Sequence, residues 1–221
     1  FCGRPLLYWP ISAALNCKLI DRVICSTDTE LYADLARSFG ACVPRLRPEF
    51  LSNDTAKTVD VILHELDHLE SLEEFYHYVV LLEPTSPFTD TIDIEKSLEM
   101  IEARKTAKAV IGVCESSVNH PDFAFNMSKE GFLKHTSLQN SMADKRRQSL
   151  SSIFYPDGSL YVSTIEILRQ NKTFYHEFTI GKTFPKYKAI EIDDIYDFIC
   201  AEALAISVEE LKKRFSVGLE V

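Results

Sequence analysis

Short apolar runs alternate with amphipathic segments along most of this chain. The apolar runs are typical of strands: "DRVICSTD" (21–28), "YVVLLEPTSPF" (78–88), where a strand enters a Pro-rich loop, "AKAVIGVCE" (107–115) and "GSLYVST" (158–164). The amphipathic segments have helical spacing and fall at 5–17, 29–39, 58–70, 92–104 and 194–206. Strands that are apolar throughout are buried on both faces. The alternation therefore predicts an α/β domain over 1–221, with a mostly parallel sheet and helices on both faces.

Polar and charged residues interrupt this alternation between Asn119 and Pro156. The interruption contains a hairpin-like piece, "FAFNMSKEGFLK", and the basic run Lys145-Arg146-Arg147. We predict a flap or an oligomerisation arm at 119–156.

Composition excludes several classes of function. The net charge of -9 over 221 residues argues against a nucleic-acid or anionic-membrane partner. A small anionic substrate would need a basic pocket or a metal. No apolar run reaches the length of about 18 residues that a membrane-spanning helix needs. None of the six cysteines lies in a CxxC pair, so we expect buried thiols in a reducing cytosol and a cytoplasmic protein.

The stretch "KAIEIDDIYDF" (188–198) sets carboxylates among isoleucines where a strand is predicted to give way to a helix. On a strand, Ile190 and Ile192 would face the core, and Glu191 and Asp193 would share the opposite face. Two carboxylates so placed can converge on a hard cation such as Mg²⁺. The alternative is a solvated strand face followed by a helix start, with Asp193 or Asp194 as the cap.

Two other motifs each have a functional and a structural interpretation. "EPTSPF" is predicted to present the Thr85 and Ser86 hydroxyls on a rigid loop, or to be an ordinary strand-to-helix connection. "HELDH" matches the HExxH zinc pattern, but His64 and His68 lie opposite the apolar stripe of their helix and no third ligand follows, so we expect no zinc site. The 221 residues contain no GxSxG, GxGxxG or Walker A motif.

Taken together, the motifs resemble the acylneuraminate cytidylyltransferases, the CMP-sugar synthetases for nonulosonic acids. The matching pieces occur in the family's order over nearly all of the chain. They are "GRPLLYWPISAAL", "DRVICSTD", "ARSFGACVPRLRPEFLSNDTAKT", "YVVLLEPTSPF", "RRQ…IFYPDGSLYV" and "AIEIDDIYDF". The "EPTSP" loop is nearer to the sialic, legionaminic and pseudaminic acid branch than to the Kdo branch. The resemblance implies a Rossmann-like fold and a homodimer formed through the 119–156 arm.

The resemblance also implies a reaction, in which CTP and a free nonulosonic acid give a CMP-sugar and pyrophosphate. Mg²⁺ would neutralise charge and align the attack of the sugar hydroxyl. The family pattern assigns roles as follows: Glu191 and Asp193 as catalytic metal ligands, Arg47, Ala56 and Thr58 at the cytidine, and Glu83, Thr85, Ser86, Arg147 and Tyr161 on the sugar side. Arg47 and Arg147 could instead be ordinary surface arginines.

Three departures from the family pattern qualify the resemblance. Glu191 stands where many relatives have Asp, and Glu83 stands where Gln is usual, which puts the identity of the sugar in doubt because an ionised Glu only accepts hydrogen bonds. The family's first strand and triphosphate loop have no counterpart before "GRPLL". We expect roughly 20 further N-terminal residues in the natural protein and no transferase activity without them. The alternatives are a non-catalytic CMP-sugar- or sugar-binding relative, and a transferase for another nucleotide or sugar.

Overall fold

The computed structural model describes residues 1–116, 120–136, 150–208 and 213. Its helices and strands follow one another as α1 Tyr8–Leu15, α2 Glu30–Ser38, α3 Thr58–Ser71, β1 Tyr78–Leu81, α4 Thr91–Glu102, β2 Ala109–Ser116, β3 Phe125–Met127, β4 Leu133–His135, β5 Ile153–Thr164, α5 Ile165–Asn171, β6 Thr179–Thr183 and α6 Ile195–Ser207. Short 3₁₀ turns cover Glu49–Leu51 and Pro121–Phe123.

Side-chain caps fix where four of the helices begin. The hydroxyls of Thr29 and Thr164 accept backbone N–H groups in the first turns of α2 and α5. Asp90 and Asp194 form capping boxes at the starts of α4 and α6. Such caps satisfy N–H groups that the helix itself leaves unpaired. These caps are short-range interactions, and the boundaries of the predicted helices lie within a few residues of those in the structure.

The central sheet has four strands in the order β1-β5-β2-β6. Strands β1, β2 and β6 run in one direction, and β5 lies antiparallel between β1 and β2. The sheet is therefore mixed, with three of its four strands sharing a direction. Local apolar pattern does not report strand direction, which is why β5 was not distinguished from the others.

The prediction of a sheet strand at 21–28 is wrong. The segment forms a single parallel bridge, Ile24 to Cys42, and belongs to neither sheet. Its backbone bonds join Cys25 N–H to the Cys42 carbonyl at 2.9 Å and Cys42 N–H to the Val23 carbonyl at 2.8 Å. A cavity lies between the segment and β1, so no strand of the described residues continues the ladder there.

Helices cover both faces of the sheet, as the apolar runs predict. Alternate residues of β2 face opposite sides: Val110 joins a core with α1 and α4, and Ile111 joins a second core with α3 and α5. The first core buries Ala13, Ala14, Cys17, Ile94, Leu98, Ile101, Val110, Leu160, Val162 and Phe184. Burial on both faces explains why the strand sequences are continuously apolar.

The described part of the 119–156 arm contains an antiparallel hairpin of β3 and β4. The hairpin confirms the short strands expected from "FAFNMSKEGFLK". It exposes large apolar side chains to solvent, namely Phe125, Met127, Phe132 and Leu133. Among the described residues, no helix is both long and apolar enough to cross a membrane.

Candidate active site

The acidic stretch lies in an extended loop between β6 and α6 rather than on a strand, which corrects the sequence prediction. Ile192 is buried among the aromatic residues of a third core, and Ile190 packs against the same core. Glu191 and Asp193 point away from it, partly buried and exposed respectively. Asp194 caps α6 by accepting the N–H groups of Tyr196 and Asp197. The capping role therefore belongs to Asp194, and Glu191 and Asp193 are left for other chemistry.

Two neighbours hold the Glu191 carboxylate. The nearby Thr85 side chain favours its charged form, and the Thr85 carbonyl accepts the Ile192 N–H at 2.8 Å. On the other side lies Gly158, whose backbone has a φ of +69°. A Cβ at Gly158 would stand 2.8 Å from Glu191 Oε2, so the carboxylate packs directly on the glycine backbone.

Gly158 belongs to a bulge in β5 that interrupts its pairing with β2. The register passes from Ile111–Tyr161 to Val113–Pro156, so the extra residues of β5 lie opposite Gly112. Within the bulge, Asp157 accepts both the backbone N–H and the hydroxyl of Ser159. A Cβ at Gly112 would clash with Ser159 Oγ and Asp157 Oδ1. A glycine at 112 therefore leaves room for the bulge that supports Glu191.

The site concentrates negative charge. Burial, followed by repulsion from Asp193 and Asp157, raises the pKa of Glu191. Burial, followed by Glu191 and Asp193, raises the pKa of Glu83. Asp157 Oδ2 is buried without a hydrogen-bond partner among the residues that the structure describes, and burial raises its pKa as well.

This donor set fits a hard divalent cation. Mg²⁺ binds one or two carboxylates and completes its shell with water and substrate phosphates. Within the described ranges, no group of three or more His, Cys, Asp or Glu converges on a metal position. The two carboxylates Glu191 and Asp193 are nevertheless enough for that mode, and their mutual repulsion is what a cation would relieve.

A cavity of about 1250 Å³ lies next to the acidic residues. Its lining includes the 21–27 segment and β1. Arg47, Ala56 and Thr58 also line it, so the three residues expected at the cytidine border the same cavity. Arg47 N–H donates to the Thr27 carbonyl at 2.7 Å. The Nε of Arg47 is buried and has no hydrogen-bond partner among the described residues.

Two of the residues expected at the sugar lie close to the acidic pair. Glu83 lines the cavity and also faces Glu191 and Asp193, so it joins the two parts of the site. Tyr161 is partly buried beside Phe174, and burial, the hydrogen bond with Tyr175 and the nearby Glu83 and Glu191 raise its pKa.

Ser86 is buried, and Arg147 lies outside the described residues. The Ser86 side chain is 2% exposed, because the loop turns inward to bury Phe88 beside it. Its hydroxyl therefore faces the interior and is not presented to a ligand. Thr85, by contrast, does reach the acidic loop.

Sequence reasoning did not single out Asp157, Gly158 or Lys188. The residues Pro156-Asp157-Gly158 are typical of a turn, yet they lie inside a run of strand-forming residues. Turn residues within a strand sequence indicate an irregular strand. Lys188 carries no local signal, since its partners Asp90 and Asp93 are distant in sequence.

The "HELDH" histidines are half-buried, contrary to the solvent-facing prediction. His64 Nδ1 lies 3.1 Å from Arg45 Nη2, and Glu65 is buried beside it. Glu65 lines the cavity together with Ile62, Leu66 and Leu69 of the apolar stripe.

A mixed sheet between two helical layers, with polar loops beside an acidic pair, defines a Rossmann-like α/β protein with a candidate nucleotide site. Residues 1–214 match the family model described as cytidylyltransferase. The chain belongs to the cytidylyltransferase family, which confirms the resemblance seen in its motifs.

Curated relatives and a solved structure agree with this assignment. An N-acylneuraminate cytidylyltransferase of Escherichia coli is 29% identical over 98% of this chain and 48% of its own length. The CMP-N,N'-diacetyllegionaminic acid synthase of Legionella pneumophila is 30% identical over 91% of this chain and 85% of its own length. The chain thus spans about half of the first relative and most of the second. A 4-diphosphocytidyl-2C-methyl-D-erythritol synthase from Anaerococcus prevotii superposes with a TM-score of 0.59 at 15% identity over 91% of this chain and 86% of its own, which shows the fold alone.

Proposed function

We propose that this chain is the catalytic part of a synthetase that transfers CMP from CTP to a nonulosonic acid and releases pyrophosphate. The observation that carries the proposal is the carboxylate pair Glu191 and Asp193, whose neighbour Glu83 lines the same cavity as Arg47, Ala56 and Thr58. Relatives named for N-acylneuraminate and diacetyllegionaminic acid support the substrate class.

In the proposed reaction, the anomeric hydroxyl oxygen of the sugar attacks the α-phosphorus of CTP. A new O–P bond forms, the bond from the α-phosphorus to the bridging oxygen breaks, and pyrophosphate and the hydroxyl proton are released. Glu191 and Asp193 would hold Mg²⁺, which offsets the charge of the triphosphate and of the leaving pyrophosphate. Thr85 and Gly158 keep the Glu191 carboxylate in place. Arg47 orients the cytidine, and Arg147 is proposed to bind the sugar carboxylate.

The remaining assignments belong to the same proposal. Glu83 lies between the cavity and the acidic pair, so it would contact the sugar close to the metal. The exposed apolar side chains of the β3–β4 hairpin support a homodimer through the arm, since large solvent-facing apolar groups mark association surfaces. Six free cysteines support a cytoplasmic location.

The experiment that tests the proposal measures pyrophosphate release from CTP with Mg²⁺ and a panel of nonulosonic acids. The gene product that contains this chain and the 221-residue chain are assayed side by side. Asp193→Asn is compared with Asp194→Asn, because Asn also caps a helix and the neighbouring substitution preserves the start of α6.

We expect release by the gene product, loss in Asp193→Asn and near-normal release in Asp194→Asn. Tight binding of CTP or sugar with no release under any condition would overturn the transferase and favour the binding relative. Release from UTP or ATP as readily as from CTP would favour a different nucleotide specificity.

A further inference from the structure

Two lysines and two aspartates form a buried ionic network below the acidic loop. Lys188 Nζ lies 2.6 Å from both Asp90 Oδ2 and Asp93 Oδ2. Lys182 Nζ lies 3.1 Å from Asp93 Oδ1 and donates a hydrogen bond to the Asp93 carbonyl at 2.7 Å. The side chains of Lys182, Lys188 and Asp93 are 11%, 13% and 11% exposed, so these charges are held away from solvent.

The two lysines occupy different kinds of backbone. Lys182 lies within β6, which pairs with β2 from Thr179 to Thr183, so the sheet holds its backbone. Lys188 lies in the loop between β6 and α6, three residues before Glu191. Its side chain therefore fixes a segment that lacks the support of a sheet.

The partners of Lys188 come from the start of α4, directly after the "EPTSPF" loop. Asp90 and Asp93 are the two members of the capping box of α4, so their carboxylates are themselves fixed. The Ile192 N–H bond to the Thr85 carbonyl joins the same two segments at their other ends. Glu191 lies between these two attachment points, Lys188 and Ile192.

Stability alone is a poor explanation for this arrangement. Burial of an ion pair costs desolvation energy that roughly cancels its attraction, and apolar replacements are often neutral. Burial lowers the pKa of Lys182, whereas the bonds to Asp90 and Asp93 outweigh burial and raise the pKa of Lys188. The loop lysine is thus the more firmly charged of the two.

We propose that Lys188 is a positioning residue that, by binding Asp90 and Asp93, sets the geometry of the Glu191–Asp193 pair for its cation. The inference rests on the proposed function, in which that pair holds Mg²⁺. Residues that orient metal ligands from behind typically change metal affinity by about 10–100-fold when replaced.

The test compares Lys188→Met with Lys182→Met in the 221-residue chain. Both substitutions remove one cation from Asp93, but only the first releases the acidic loop. Free Mn²⁺ is measured by its EPR signal to give a dissociation constant, and the melting temperature without metal is measured for each variant. Asp193→Asn identifies the part of the binding that belongs to the proposed site.

We expect both methionine variants to melt below wild type, and Lys188→Met alone to bind Mn²⁺ about tenfold more weakly. Lys188→Arg keeps the charge and should recover most of the affinity. Equal weakening in the two variants, or wild-type affinity in Lys188→Met, would show that the network only stabilises the fold and would overturn the positioning role.

Two further outcomes are informative. If wild type bound no Mn²⁺ that Asp193→Asn removes, the metal assignment itself would fail, and the positioning role with it. If Lys188→Met did not fold, Asp90→Asn would replace it, since Asn keeps the cap but removes one charge from Lys188. A rise in the dissociation constant is expected there, and no change would overturn the inference.

Discussion

Replacing Gly158 by alanine should weaken the acidic site more than it weakens the fold. The substitution has two separable effects. The φ of +69° is a left-handed conformation, in which a non-glycine residue costs about 1–2 kcal/mol. In addition, the new Cβ would lie 2.8 Å from Glu191 Oε2, whereas ordinary contact begins near 3.4 Å, so the carboxylate must retreat by about 0.6 Å.

Gly131 offers a matched control for the backbone effect. It lies in the β3–β4 turn with a φ of +88°, and a Cβ there would meet nothing within 4 Å. Gly131→Ala therefore carries the conformational cost without a contact. For a chain of this size, 1 kcal/mol corresponds to about 2–4 °C in melting temperature, so both variants should melt roughly 2–8 °C below wild type.

Metal binding and catalysis should distinguish Gly158→Ala from Gly131→Ala. Misplacement of a reacting group by 1 Å can cost about 100-fold, so a shift of this size predicts a loss of about tenfold. Mn²⁺ affinity and the rate of CMP-sugar formation should fall in Gly158→Ala and stay unchanged in Gly131→Ala. Equal behaviour of the two variants in both assays would refute the contact between Gly158 and the proposed metal ligand as a determinant of the site.

Three further predictions follow from the same geometry. Burial and repulsion from Asp193 raise the pKa of Glu191, so protons should compete with the metal at a higher pH than at an ordinary carboxylate. Mn²⁺ affinity should be constant near neutrality and fall as pH decreases through the raised pKa. An affinity that persists to pH of about 4 would contradict this. Arg47→Ala should weaken CTP binding about tenfold in calorimetry with little change in melting temperature, since its buried Nε is unpaired among the described residues. Glu83→Gln should raise the metal-free melting temperature by roughly 2 °C, because it removes one like charge from beside Glu191 and Asp193; a decrease would show that Glu83 is stabilising as a carboxylate.

Local signals predicted the helices well because caps and apolar periodicity are local. Thr29, Asp90 and Asp194 each cap a helix close to where the sequence places one. The direction of β5 and the exclusion of the 21–28 segment from the sheet depend on pairing between distant residues. No local pattern reports such pairing.

The site was predictable in part for the same reason. Alternation of carboxylates with isoleucines correctly separates Glu191 and Asp193 from the buried Ile192, although the backbone is a loop rather than a strand. The residues that support the pair come from elsewhere in the chain. Gly158 lies in a distant bulge, and Lys188 acts through partners on α4.

The most direct test of the account is to identify the product by mass spectrometry. The gene product containing this chain is incubated with Mg²⁺, CTP and N-acetylneuraminic, diacetyllegionaminic or pseudaminic acid, alongside Asp193→Asn and reactions with UTP. We expect one CMP-linked sugar at high yield, formed from CTP and absent with UTP and in Asp193→Asn. A CMP-sugar formed equally well by Asp193→Asn would contradict the central role of the acidic pair, and the absence of any CMP-sugar despite CTP binding would contradict the proposed transfer.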